Sequence, residues 1–174
     1  MDETKKRVVS LEKTSGLSDR VALWYSMMER VRERLLKRVE GLSNKELDYT
    51  PHEESVETIG TLLLHIAAVE WSWIFEDMGR QEMDYEKWKH AFALREGIPQ
   101  LKGKKLRYYL DRLNSVREDV LNRLIDVSDS ELDHLVDIGE AAVSIEWILF
   151  HLIEHEAMHV GQISVLRRLQ EQSK

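Results

Sequence analysis

The stretch that decides the fold is Ser144–Gln172, SIEWILFHLIEHEAMHVGQISVLRRLQEQ. It holds no proline, Ser144 stands where an N-cap belongs, and the apolar residues recur at helical spacing. The pattern predicts one helix from just after Ser144 to Gln172, about 40 Å long at 1.5 Å per residue. Ile148, Leu152, Leu166 and Leu169 flank a histidine row, His151, His155 and His159, with Gln162 one turn further on. That face is expected to point inward.

Three more helices are read outward from it. The first runs from about Asp19 to Glu40 behind Ser18 as N-cap, with Trp24, Met28, Val31 and Leu35 in one stripe and Gly41 as its left-handed stop. The second starts after Ser55 and ends near Met78 before Gly79; its stripe is Ile59, Leu62, Ile66, Val69 and Trp73, with His65 at the edge. The third begins around Lys104 and carries Leu106, Leu110, Leu113, Val120 and Leu124. Residues 81–101 are long for a bundle connection and are expected to hold a short helix near Glu86–Leu94. Pro51 closes a turn-rich linker. Four narrow apolar stripes with no alternating strand pattern give an all-α chain, a four-helix bundle.

The chain has 174 residues, which fits one domain over 1–174, with 1–17 as an N-terminal arm or short extra helix. It has no cysteine, so disulfides, cysteine-ligated zinc and a thiol nucleophile of its own are excluded. A net charge of -7 with a pI near 5.5 argues against nucleic acid as the partner. No apolar run approaches a membrane span of about 20 residues, and the charged start, MDETKKR, lacks a signal-peptide core. The expected location is cytoplasmic, with no membrane partner.

Histidines four apart stack on one helix face and can present two imidazoles to one ion. His151 and His159 diverge by about 80°, so the row offers two overlapping pairs, of which one site uses one. Each histidine alone reads as a core residue bonded to a carbonyl. A row of them on an inward face is better satisfied by a shared metal, because a buried polar group without a partner costs about 1–3 kcal/mol. His155-Glu156-Ala157-Met158-His159 is also the H-E-x-x-H of metallopeptidases, but its context is wrong. Glu171 is the sole acid downstream, Gln162 and Val165 stand where the extended motif needs Gly and His, and no strand is evident to hold a peptide. A third ligand is therefore sought upstream, where His65 lies within an apolar helical stripe.

The run Ser55–Glu70 around His65, together with His155-Glu156-Ala157-Met158-His159-Val160-Gly161-Gln162-Ile163, resembles the DinB-like (YfiT-like) superfamily over roughly residues 20 to 170. Gly41-Leu42-Ser43 through Pro51 and Val127–Leu132 add to the likeness. The resemblance implies an up-down-down-up bundle, commonly a homodimer, with zinc or nickel on three histidines. On this chain those are His65, His155 and His159, with His151 beside the site. Characterised relatives include bacillithiol transferases and mycothiol-dependent maleylpyruvate isomerase; others are described as metal-dependent hydrolases.

The expected function is a divalent-metal enzyme, a thiol-dependent transferase or a hydrolase acting on a small molecule. The alternative is a non-enzymatic metal-binding or stress-related interaction protein. Glu156 is the acid candidate for catalysis, although it lies about 100° around the helix from His155. A structural ion pair is expected for Glu70. Exposed aromatics such as Trp71 add to the expectation of a homodimer.

Overall fold

The computed structural model describes residues 10–51, 58–93 and 98–173. Helix α1, Asp19–Val39, ends before Gly41, whose φ of +73° is the left-handed conformation expected at that stop. It starts at Asp19 behind Ser18, as expected, but the Ser18 side chain does not make the capping bond. Ser18 has the extended backbone of an N-cap, but its hydroxyl donates to the Val127 carbonyl at 3.0 Å. The capping acceptor is Asp129, whose Oδ1 takes the amide N–H of Arg20 at 2.8 Å and of Val21 at 3.4 Å. A carboxylate at a helix N-terminus also meets the positive end of the helix dipole. The linker after α1 contains one helical turn, α2 (Asn44–Leu47), closed by a Ser43/Glu46 capping box.

Helix α3, Ile59–Trp71, starts behind Thr58, whose Oγ1 accepts from the Thr61 amide at 3.0 Å. The expected start after Ser55 lies outside the described residues. The helix continues as a π-helical segment, Ser72–Asp77, and stops at Gly79, where a Cβ would fall 2.7 Å from the Phe75 carbonyl. A single inward stripe is not what α3 shows. Ile59–Leu64, Ile66–Ala68 and Glu70 are all buried, because the helix packs against α5, α6 and the segment after α4. Ile59–Asp77 is long and apolar enough over 19 residues to cross a membrane by length and composition alone, as a buried core helix also can be. Most of that surface is covered by the bundle. At Gly60 a Cβ would meet the Tyr109 hydroxyl at 2.6 Å, so the missing side chain sets how closely α3 and α5 approach. Trp71 is half-buried rather than exposed and stacks on Phe75 with ring centres 5.4 Å apart.

The short helix expected in the long connection is α4, Tyr85–Trp88, continued by a 3-10 turn, Lys89–Phe92; Leu94 lies outside the described residues. Helix α5 is Leu106–Ile125. Next come a 3-10 turn at Glu131–Asp133 and a small antiparallel hairpin, β1 (Leu135–Asp137) with β2 (Ala142–Ser144), Val136 facing Val143. No strand was expected there, since three-residue strands are too short to show a period of two. Helix α6, Ile145–Gln172, starts where expected, with the Ser144 hydroxyl accepting from the Trp147 amide at 3.1 Å. It lies along α1 and α3. Ile148, Leu152 and Leu166 are buried as expected, while Leu169 is exposed. Among the described residues the fold is all-α apart from this hairpin.

Candidate metal centre

Among the described residues, two polar clusters lie within the bundle. In the first, α6 supplies His155 and His159 one turn apart and α3 brings His65 against them. The Nε2 atoms of His65 and His155 are 3.3 Å apart, and those of His155 and His159 3.0 Å. His159 is buried and the other two are half-buried. The opposite nitrogens are anchored. His65 Nδ1 lies 3.1 Å from the Ala91 carbonyl, which only accepts, so the proton sits on Nδ1 and an unprotonated Nε2 turns into the cluster. His159 Nδ1 lies 2.5 Å from Gln162 Oε1, which fixes the same tautomer.

This arrangement fits a divalent metal. Imidazole nitrogens about 2.0–2.1 Å from one ion are about 2.9 Å apart at right angles and about 3.3 Å apart at the tetrahedral angle. The two separations here fall across that interval. A proton on His155 Nε2 can serve one of its two neighbours, whereas a cation serves both. Burial, followed by the neighbouring His159, His65 and His151, pushes the His155 pKa down from 6.5 to about 3, so the ring takes up no second proton near neutrality.

The second cluster joins all four long helices: Arg32 from α1, Glu70 from α3, Arg117 from α5 and Glu156 from α6, each buried. Arg32 donates to Glu156 Oε1 at 2.7 Å and to Glu70 Oε2 at 2.7 Å. Arg117 donates to Glu70 Oε1 at 2.5 Å and to Glu156 Oε2 at 3.1 Å, and reaches Glu29 at 2.6 Å. Burial acts to raise the Glu70 carboxyl pKa, but Arg117 and Arg32 outweigh it and hold it below its usual value. Burial likewise opposes the charge on Arg117, and Glu70, Glu156 and Glu29 more than compensate. Glu70 thus has the structural ion pairs expected of it.

A model of the family described as mycothiol-S-transferase matches residues 23–172. The chain belongs to the mycothiol-S-transferase family. Among solved structures, one described as "the conserved protein of locus from Enterococcus faecalis" superposes with a TM-score of 0.65 at 18% identity, covering 84% of this chain and 94% of that one. At that identity the likeness shows the fold alone. No curated protein matches the chain.

Within this family member, the site residues named from sequence are distributed as follows. His65, His155 and His159 are together. His151 stands beside them, its ring centre 6.0 Å from that of His155, and packs flat on Trp147 at 4.9 Å. Glu156 has its carboxylate bonded to Arg32 and Arg117. Neither arginine was singled out from sequence. Their signal is a charge in core register: Arg32 lies four after Met28 and three before Leu35, and Arg117 four after Leu113 and three before Val120.

Proposed function

We propose that this protein is a divalent-metal-dependent transferase that joins a low-molecular-weight thiol to a small electrophile. The observation that carries the reading is the convergence of three imidazole Nε2 atoms with two of the opposite nitrogens anchored, in a chain of this family. His65, His155 and His159 would hold the metal, zinc or nickel, leaving a position for the thiol. A bound metal acts as a Lewis acid and lowers the pKa of a coordinated thiol or water. The chain has no cysteine, so the sulfur comes from the co-substrate. The sulfur–carbon bond forms as the bond to the leaving group breaks; the leaving group takes that electron pair and solvent receives the thiol proton.

The residues of the chain bind and orient. Ala91 and Gln162 keep two imidazoles in the ligating tautomer. Glu156, the acid candidate from sequence, is given a structural role here, because two arginines share its carboxylate in a buried site. The up-down-down-up helix order, a single domain and a cytoplasmic setting, where such thiols are kept reduced, belong to the same reading. So does a homodimer. Phe150, Met158, Val165 and Leu169 leave an exposed apolar stripe along the outside of α6, and a second copy of the chain would cover it.

The test is a panel of thiols, mycothiol first, assayed against electrophiles with and without added zinc or nickel. Metal-dependent transfer supports the reading. Metal binding with no turnover on any thiol, or turnover of ester and amide substrates without thiol, favours the non-enzymatic or the hydrolytic alternative.

A further inference from the structure

Helix α6 turns one face into the bundle and the other to solvent. Gly161 is exposed at the middle of the outward face, about 160° around the helix from the buried His159. Glycine weakens a helix interior relative to alanine. At Gly60 the compensation is visible, since a Cβ would meet the Tyr109 hydroxyl at 2.6 Å. At Gly161 a Cβ would meet nothing within 4 Å, so among the described residues no neighbour uses the space. The face around it is apolar, with Phe150, Met158 and Val165 exposed by 45%, 55% and 45%. Two charged residues share its line. Glu154 stands seven before Gly161 and Arg168 seven after, each within about 20° of it around the helix. They are of opposite sign, and at about 21 Å along the axis they cannot meet within one chain. Glu154 has His151 as an ion partner at 3.5 Å; Arg168 has no carboxylate partner among the described residues.

We propose that the outer face of α6 pairs antiparallel with α6 of a second copy, across a two-fold axis at Gly161. Such an axis sets a residue n places after Gly161 opposite the residue n places before it in the other copy. Gly161 meets its own image, and the two missing side chains let the helix axes approach more closely than bulky residues would. Glu154 meets the partner's Arg168 at both ends of the contact, so the exposed charges of this face are paired by symmetry. Met158 and Val165, three before and four after Gly161, interleave with their images and cover one another. A parallel pairing would instead set Glu154 against Glu154 and Arg168 against Arg168. An unrelated partner would have no need of opposite charges at equal distances on either side of a glycine. The contact closes on itself, giving a dimer and not a filament. The seam rests on the homodimer of the reading above and gives it an axis, a direction and a register.

The test is sedimentation equilibrium of the full-length protein, with circular dichroism as the folding control. The wild type should be a dimer. Glu154→Arg and Arg168→Glu, taken singly, each set like charges opposite one another and should weaken it about ten- to a hundredfold. Mixed in equal amounts, the two single variants should associate with each other in preference to themselves. The double variant Glu154→Arg/Arg168→Glu should recover the wild-type affinity. Gly161→Leu should give a folded monomer. Gly161→Ala, a change that suits a helix, should also weaken the dimer and keeps the test decisive should the leucine variant fail to fold. A wild-type dimer that Gly161→Leu leaves equally tight, or single variants with no preference for each other, overturns the seam and leaves the homodimer standing. A monomeric wild type overturns both. No thiol enters the measurement, so a failure of transfer in every turnover assay leaves the seam untouched.

Discussion

The histidine cluster and the arginine–glutamate cluster occupy the same bundle and satisfy opposite conditions. Arg32, Arg117, Glu70 and Glu156 are two cations and two anions whose bonds close on one another, with Glu29 as an outlying partner. Such a set neutralises itself and asks for nothing from solution. The histidines are all of one kind, and at least two of them turn unprotonated nitrogens inward. Together they could hold a cation. The two polar clusters therefore differ in what they can select, the arginine–glutamate cluster a helix arrangement and the histidine cluster a ligand. The histidine-bearing helices α3 and α6 both contribute to each, so the two clusters share one frame.

The largest expected effect is on metal content. His65→Ala, His155→Ala and His159→Ala should each lose nearly all bound metal, and His151→Ala should keep most of it, as read by elemental analysis with circular dichroism as the folding control. A loaded His159→Ala alongside an empty His151→Ala would move the site to the other i, i+4 pair and break the contrast.

Stability should respond most to the closed cluster. Glu70→Ala leaves two buried guanidinium groups short of a partner and should cost about 3–5 kcal/mol in denaturant unfolding. Replacing the set together, with Arg32→Met, Glu70→Leu, Arg117→Met and Glu156→Leu, should recover most of that loss, because buried ion pairs are often no better than apolar residues of equal volume. If the fourfold variant keeps its metal affinity unchanged, the ion network does not frame the histidines.

Acid should weaken the apo protein through both clusters, with the same sign. The folded pKa of His155 lies near 3, below the 6.5 of an exposed histidine, so between those values the unfolded chain binds the extra proton. The stability this represents is complete above about pH 6.5 and is lost as the pH falls toward 3. The depressed Glu70 carboxyl adds a further loss below about 4.5. Unfolding measured as a function of pH should lose its slope between 6.5 and 4.5 in His155→Gln, and keep it if the imidazole is not held neutral.

Smaller effects come from the supports. Gln162→Leu removes the group that anchors His159 Nδ1 and should weaken zinc binding about 10- to 100-fold while the fold is retained, as measured by competition with a chelator. Asp129→Ala removes the cap of α1 and should cost about 1 kcal/mol with no change in metal content. An equal loss of metal in both variants would make the effect one of general loosening.

The sequence by itself determined the helices, their approximate ends and the histidine row, because these depend on neighbours within a few residues along one chain. Ser144 and Gly41 punctuate as local rules require, and spacing of four puts His155 under His159 whatever the helix packs against. His65 was reached as a third ligand from its place in an apolar helical stripe; spacing alone left two pairs open, and the choice of His155 with His159 came from resemblance to a known family. What only the tertiary structure decided involves partners far apart in the chain. Arg32 and Glu156 are 124 residues apart, and Ser18 and Asp129 reach α1 and its neighbours across 109. Which way Glu156 turns, whether α3 is covered on one side or on all, and where His65 meets His155 depend on the rotation and closeness of packed helices. A stripe of apolar residues constrains that rotation only to a broad face, whereas hydrogen bonds of about 3 Å fix it far more tightly.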